Sequence, residues 1–318
     1  MKLFGAFLKL VRWPNLVFIA LTQVMFKYCI LKPVFQQASL KPNVEGGYFV
    51  LILLSYVFIA AAGYIINDYF DLNIDQVNKP DKVIIERVIR RRWALAWHII
   101  LSVLGIAFSL YVDMRAGSKI AGISAFFCVV LLFFYSTTLK KKLLIGNVLV
   151  AAITAWSIIA LTWFEGNQFF LSKSRAGSLE IEKIFRLTVL YTSFAFIISL
   201  IREVVKDMED VEGDRKYGCR TMPIVLGYNA TKVFVMVWLI VLVGMVGTTQ
   251  VYVLQFGWWF SILYSVVLII GPLLQVGKNL FSAQTSAHYH KLSSTIKLVM
   301  LTGILSMAFF LIYSRWLP

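Results

Sequence analysis

Negative charge is scarce in this chain: 16 Asp and Glu stand against 31 Lys and Arg among 318 residues. Charged residues of both signs make up only 15% and hydrophobic residues 59%, at a mean hydropathy of +0.78. That balance excludes a soluble globular domain. Cysteine is rarer still. Cys29, Cys128 and Cys219 are odd in number and far apart, so neither a disulfide framework nor a Cys-x-x-Cys metal site is expected. His98, His288 and His290 form no zinc spacing. The cations are dispersed among short segments between apolar runs, with no tail or recognition module to gather them, so no nucleic acid is expected as partner. Tandem repeats, low-complexity tracts and domain linkers are also missing.

What the chain has in quantity is long apolar runs. Stretches near 13–31, 48–66, 93–112, 119–138, 145–164, 184–202, 231–250, 256–276 and 294–314 are each long enough to cross a hydrocarbon core of about 30 Å as a helix. The expected fold is therefore all-α and integral to the membrane, with about nine transmembrane helices in one polytopic domain over 1–318. The basic start followed by an apolar run imitates a signal peptide. Trp13-Pro14-Asn15 and the lack of a small-residue cleavage site favour a retained first span. With the N-terminus on the cytoplasmic side, 21 of the 31 cations fall on that side and 10 on the other, as the positive-inside rule requires. The segments 32–47 and 165–183 then read as outer loops. The expected location is a multi-pass place in a bacterial cytoplasmic membrane, with attraction to anionic membrane lipid.

The few acids are not scattered. Asp68, Asp71 and Asp75 close the second apolar run, and Asp207, Asp210 and Asp214 close the sixth. Both triplets have Asp at i, i+3 and i+7, which on a helix places three carboxylates along one face. Like charges that close repel unless a cation sits between them. Six carboxylates without soft ligands suit a hard ion, Mg²⁺ or Mn²⁺. Mg²⁺ commonly shares its shell between carboxylates and phosphate oxygens, so two such acidic walls fit a diphosphate leaving group. An allylic C–O bond can then ionise, and aromatic faces can stabilise the carbocation.

Lys79 and Lys82 follow the first triplet within a turn or two, where a polyanion would need cationic partners. Arg202 and Lys206 precede the second, and on a continuous helix they neighbour Asp210 at steps of four, as anion contacts or as partners of the acids. Tyr135 and Ser136 lie at the same membrane face, ahead of Lys140-Lys141-Lys142, a triplet whose first reading is an interfacial anchor. Asn15 in the first span suits a bond to a neighbouring helix or a place in the site equally. Spans seven to nine carry almost no ionisable residues and say little beyond bilayer packing.

Asn67-Asp68-x-x-Asp71-x-x-x-Asp75 and Asp210-x-x-x-Asp214, with Asp207 ahead, resemble the two signature motifs of the UbiA superfamily of intramembrane prenyltransferases. The likeness extends through Asn78-Lys79-Pro80, Tyr135-Ser136, Gly146-Asn147 and the run from Arg202 to Pro223. It implies nine helices around a central cavity open to the membrane, and a cytoplasmic cap from the 2–3 and 6–7 loops. It also implies Mg²⁺-dependent transfer of a prenyl group from its diphosphate to a lipid-soluble acceptor. Asp68, Asp71, Asp75, Asp207, Asp210 and Asp214 would be the catalytic, metal-holding set. Asn15, Asn67, Lys79, Lys82, Tyr135, Ser136, Lys140, Arg202 and Lys206 would meet substrate.

The run from Arg202 to Arg215 looks most like the branch that prenylates a glycerol-phosphate ether lipid; an aromatic ring such as a quinone precursor is the next acceptor class. Where many members have Asn-Arg-Pro-x-Arg-Pro, this chain reads Asn78-Lys79-Pro80-Asp81-Lys82-Val83, so the loop 79–92 is expected to take its own shape. The competing function is a divalent-cation transporter using the same carboxylates, which would place acids at mid-membrane depth on several spans.

Overall fold

The computed structural model describes residues 2–171 and 178–314. Twelve helices carry the described chain. Helix α1 (Lys2–Leu10) is short and amphipathic, with Ala6 and Leu10 buried and Leu3 and Phe4 exposed. Arg12 then takes a left-handed conformation (φ 51°) that turns the chain into α2 (Trp13–Gln37), where Pro14 sits in the first turn and loses no helical hydrogen bond. There follow α3 (Gly47–Asn78), α4 (Arg91–Ala116), α5 (Ala121–Thr137), α6 (Ile145–Leu171) and α7 (Ser178–Glu209). The short α8 (Val211–Lys216) and α9 (Met222–Val225) lead to α10 (Gly227–Leu254), α11 (Trp259–Ser282) and α12 (Ser286–Ser314). Eight of these helices are long and apolar enough to span a bilayer; α5, with 17 residues, is the shorter ninth.

The boundaries differ from the apolar runs in an instructive way. Helix α3, the second span, runs on through the acidic stretch to Asn78 because polar residues continue a helix once apolar packing has started it. The expected loop 32–47 is helical as far as Gln37. The expected loop 165–183 shrinks because α6 continues to Leu171 and α7 begins at Ser178; residues 172–177 lie outside the described ones.

Close packing sets the frame around the site. On α3 the positions Ile52, Ser55, Ile59, Ala62 and Ile66 form a buried stripe at steps of three and four, laid against α4. The Ser55 hydroxyl donates to the Gly105 carbonyl at 2.6 Å and shares a hydrogen bond with Ser109 at 2.7 Å. Hydroxyl pairs of this kind contribute about 0.6 kcal/mol each in membrane bundles. Helix α7 packs on α6, α10 and α12. Its Ile197, Leu200, Ile201, Val204 and Met208 join the largest core with Val235, Leu239, Leu273, Leu292 and Ile296.

At the far end from the aspartates, Lys27 and Glu165 form an ion pair, both nearly closed to solvent. Lys27 also donates to the Val44 carbonyl, and Glu165 accepts from the Val44 amide at 3.2 Å. The pair thereby satisfies the backbone of the loop between α2 and α3. Removing one partner from a buried pair costs about 3–5 kcal/mol.

Candidate active site

A cavity of about 2570 Å³ runs through the bundle. Helix α7 lines it from Glu182 to Glu209. At 1.5 Å per residue the stretch from Glu182 to Asp207 alone covers about 38 Å, more than the hydrocarbon core of a bilayer. The middle is apolar and aromatic, with Phe18, Tyr56, Tyr64, Tyr191 and Phe194 in the wall. One end holds all six aspartates of the two motifs.

Four of those six already meet an opposite charge or an amide. Arg12 Nη2 lies 2.6 Å from Asp68 and stacks 5.2 Å above the Tyr64 ring. Lys140 pairs with Asp71 and reaches the Asn67 carboxamide at 3.4 Å. Lys79 touches both carboxylate oxygens of Asp210, at 2.7 and 2.8 Å, and lies 3.5 Å from Glu209. Asn147 donates to Asp207 at 2.8 Å. The carboxylates of Asp75 and Asp214 make no hydrogen bond or ion pair among the described residues. Burial of Asp214, added to the charges of Asp210 and of Asp71 on the other wall, pushes its carboxyl up to about 7. Burial alone would lower the Lys79 ammonium; the carboxylates of Asp210, Glu209 and Asp75 together outweigh it and hold the group above the ordinary lysine value.

The two walls are tied by Asn78. Its amide donates to the Asp210 carbonyl at 2.9 Å, and its carbonyl accepts from the Gly213 amide at 2.7 Å. A Cβ at Gly213 would stand 2.6 Å from the Asn78 carboxamide, so only glycine permits the clasp. Gly146 does similar service for Lys140: a Cβ there would lie 2.7 Å from the Lys140 backbone. The close approach of α6 to the turn Leu139–Lys141 aims the lysine at Asp71.

The loop 79–90 opens with a turn over Pro80–Lys82 and closes as a tight knot. Val88 and Ile89 donate to the Ile84 carbonyl, Glu86 donates to that of Ile89, and Glu86 takes a positive φ of 66°. Ile85 and Ile89 bury against Ala6, Leu10 and Val11, while Val83, Ile84 and Val88 face the cavity. Apolar side chains thus replace the proline turn that the resemblance would have supplied.

Several residues stand elsewhere than their spacing suggested. Helix α7 ends at Glu209, and Asp210 sits in the bend before α8, so the second triplet does not ride one straight helix. Arg202 and Lys206 bond to Glu203, at 2.9 and 3.2 Å, rather than to Asp210, which Lys79 holds. Lys140 is a partner of the first triplet, not merely an anchor. Asn15 accepts from Lys297 at 2.7 Å, so the last span does reach the site. Tyr135 lines the cavity; Ser136 does not, and its hydroxyl donates to the Leu132 carbonyl of its own helix. The side chain of Lys82 lies outside the described residues. Arg12, Glu203 and Lys297 were given no role by the sequence, and Asn78 and Asn147 stood only within the stretches of family likeness. Asn78 and Asn147 carried a signal, each being a polar residue at the membrane end of an apolar run.

Comparison with known proteins bears on the whole architecture. The sequence profile described as the UbiA prenyltransferase family matches residues 35–292. Digeranylgeranylglyceryl phosphate synthase of Methanosphaera stadtmanae is 31% identical over 255 residues, 79% of this chain and 84% of that protein. A solved structure of digeranylgeranylglyceryl phosphate synthase superposes with a TM-score of 0.59 at 21% identity, covering 97% of this chain and 99% of the other. A UbiA homologue from Archaeoglobus fulgidus, solved with DMAPP and Mg²⁺ bound, gives 0.57 at 15% identity over 95% and 99%. The two aspartate walls at the head of one long apolar cavity therefore belong to a multi-pass membrane enzyme, a prenyltransferase of the UbiA family.

Proposed function

We propose that the chain, acting as one unit, transfers a prenyl group from its diphosphate to a glycerol-phosphate ether lipid, with Mg²⁺ at the aspartate end and that end facing the cytoplasm. The observation that carries this is the pair of facing aspartate walls at the head of an apolar cavity of about 2570 Å³, beyond the 300–1,000 Å³ usual for one small ligand. The kinship with digeranylgeranylglyceryl phosphate synthases supports the acceptor class.

The donor set suits the ion. Among the described residues no three acidic, histidine or cysteine side chains converge closely enough to hold a metal alone. Mg²⁺ usually keeps part of its shell for water and phosphate oxygens, so a divided set of carboxylates is what it needs. Asp75 and Asp214 are the unpaired members, and the like-charge crowding at Asp214 is what a cation would relieve. Asp71 and Asp210 would complete the set on each wall, with Lys140 and Lys79 free to meet phosphate. Bound there, the ion would neutralise charge gathering on the diphosphate oxygens.

The protein's own groups do the rest. Lys79 and Lys140, each resting on an aspartate, are placed to transfer their charge to the leaving group, and Arg12 borders the same end. Tyr64 and Tyr135 line the cavity beside the walls and offer aromatic faces to the allylic cation. As the C–O bond breaks, its electron pair stays on the diphosphate. The acceptor hydroxyl oxygen bonds to the allylic carbon, and its proton leaves with the diphosphate.

Purified protein with Mg²⁺ and a panel of prenyl diphosphates, offered glycerol-phosphate and aromatic acceptors, tests this by product mass. A prenylated ether-lipid phosphate is the expected product. Exclusive prenylation of an aromatic ring overturns the acceptor, and an unimpaired Asp71→Asn, Asp210→Asn double variant overturns the site. Membership of a prenyltransferase family leaves the cation-transporter reading without support.

A further inference from the structure

Past the aspartate walls, deeper in the bundle, lies a second charged group of opposite sign. Arg202 stands five residues before Asp207, the wall aspartate carried by α7, about 7.5 Å along the helix axis. Lys206 follows it by one turn, and Lys297 of α12 lies within electrostatic reach of both. All three line the cavity. Facing them are Glu203, bonded to Arg202 and Lys206; Asn15, which accepts from Lys297; and Phe18, whose ring lies 5.2 Å under the Lys297 ammonium. Tyr64 completes the surround from α3. Three cations against Glu203, with Asp207 within electrostatic reach of Lys206, leave a local excess of one positive charge. Cations at membrane depth are costly to maintain without a partner.

Two buried donors there are also unmatched. The Ser199 hydroxyl, one turn before Glu203 and only 5% exposed, makes no hydrogen bond, and neither does Arg202 Nε. Both residues line the cavity. Buried polar groups of this kind are normally satisfied. The donors lacking acceptors and the surplus of positive charge occur at one place, and an anion with several oxygens would answer both.

We propose that Arg202, Lys206 and Lys297, with the Ser199 hydroxyl, form a second anion subsite that takes a phosphate monoester at the head of the lipid acceptor. It is separate from the diphosphate end, where Lys79, Lys140 and Arg12 rest on the aspartates. The inference builds on the acceptor class proposed above. It assigns to Arg202 and Lys206 the acceptor rather than the leaving group. The acceptor would be held by its phosphate on the bundle side of Asp207, with its hydroxyl presented upward to the allylic carbon and its isoprenoid tail in the apolar part of the cavity. The same phosphate chemistry is offered by bilayer phospholipids, which are diesters, and by free phosphate.

Binding by the purified full-length protein separates these. The probes are radiolabelled geranylgeranylglyceryl phosphate, its dephosphorylated alcohol, and geranylgeranyl diphosphate with Mg²⁺; phosphatidylglycerol and inorganic phosphate serve as competitors. Wild type should prefer the monoester to the alcohol by about tenfold or more, the loss expected for a charge-assisted hydrogen bond. Lys297→Met should erase that preference and Ser199→Ala weaken it. Both should leave diphosphate binding within about twofold, which also shows that the fold is intact, and Lys297→Arg should keep the preference.

The subsite is overturned if Lys297→Met retains the preference. It is equally overturned if Lys297→Met and Ser199→Ala both lose diphosphate binding in parallel, or if phosphatidylglycerol or inorganic phosphate competes as well as the monoester. A wild type that binds the monoester through Lys297 yet does not prenylate it upholds the subsite and refutes the acceptor reading.

Discussion

Asp68, Asp71 and Asp75 ride one uninterrupted helix, packed along its length on α4 and α5. Asp207 instead lies near the end of α7, Asp210 occupies the bend at φ −100° and ψ 8°, and Asp214 rides the six-residue α8 beyond. The same spacing is thus built on a rigid wall and on a broken one. The bend keeps near-helical bonding, since the Asp214 amide still donates to the Asp210 carbonyl at 3.2 Å. Through it the Asp214 carboxylate feels the charge of Asp71 opposite. A shared spacing on unlike backbones points to a common demand from the space between the walls, and among the described residues Asn78 is the one side chain of α3 that bonds across to the bend and α8.

That comparison can be broken most sharply at the acids themselves. Asp71→Asn on the rigid wall and Asp210→Asn on the broken one should each lower turnover by about 10²–10³-fold, the range for a charge-stabilising group at a reacting centre. Radiolabelled prenyl transfer measures both, and a gap of more than tenfold between them would end the view of the walls as equivalent. Lys140→Met and Lys79→Met come next. Each removes one charge-assisted contact, so the KM for prenyl diphosphate should rise about tenfold or more in each. A rise in only one would show that the diphosphate leans on a single wall. Asn78→Ala should reduce kcat by about tenfold while the donor KM moves less than about twofold, because it frees the second wall without removing a contact to substrate. Gly213→Ala breaks the same clasp, so the double variant should cost no more than the worse single one. Additive losses would mean that the two residues act independently.

The fold was legible wherever apolar length decides it, as in the eight spans and the shorter ninth. Both acidic triplets were legible too, because spacing survives translation from chain to helix. What the sequence hid was who meets whom. Lys140 in a basic triplet looks like an anchor until Gly146 brings α6 against its turn. Lys297 sits in an apolar run 282 residues from Asn15, and only the packing of α12 on α2 joins them. Helical periodicity offered Asp210 as the neighbour of Arg202 and Lys206, but the nearer Glu203 takes both, and a loop lysine takes Asp210. Lys27 and Glu165 gave no hint of pairing for the same reason: a buried ion pair between distant helices leaves no local pattern.

The smallest effect expected comes from protonation and tests whether the broken wall is under charge strain. Asp214 titrates near 7 in the folded protein against an ordinary 3.8, raised by burial and then by Asp210 and Asp71. The folded state therefore holds a proton on this group through a window in which the unfolded chain has lost it. Its contribution to stability is complete below pH 3.8 and drains away as pH rises toward 7. Metal-free protein should accordingly melt at a lower temperature at pH 8 than at pH 5. The Asp214→Asn variant, which cannot ionise there, should show a shallower slope than wild type between those values. Other groups titrate in the same range, so the difference between the two melting curves is the quantity to read. Mg²⁺ with a prenyl diphosphate should raise the wild-type curve most at the alkaline end, where the carboxylate is charged and available to the ion. Parallel curves for wild type and variant would show that Asp214 is not crowded.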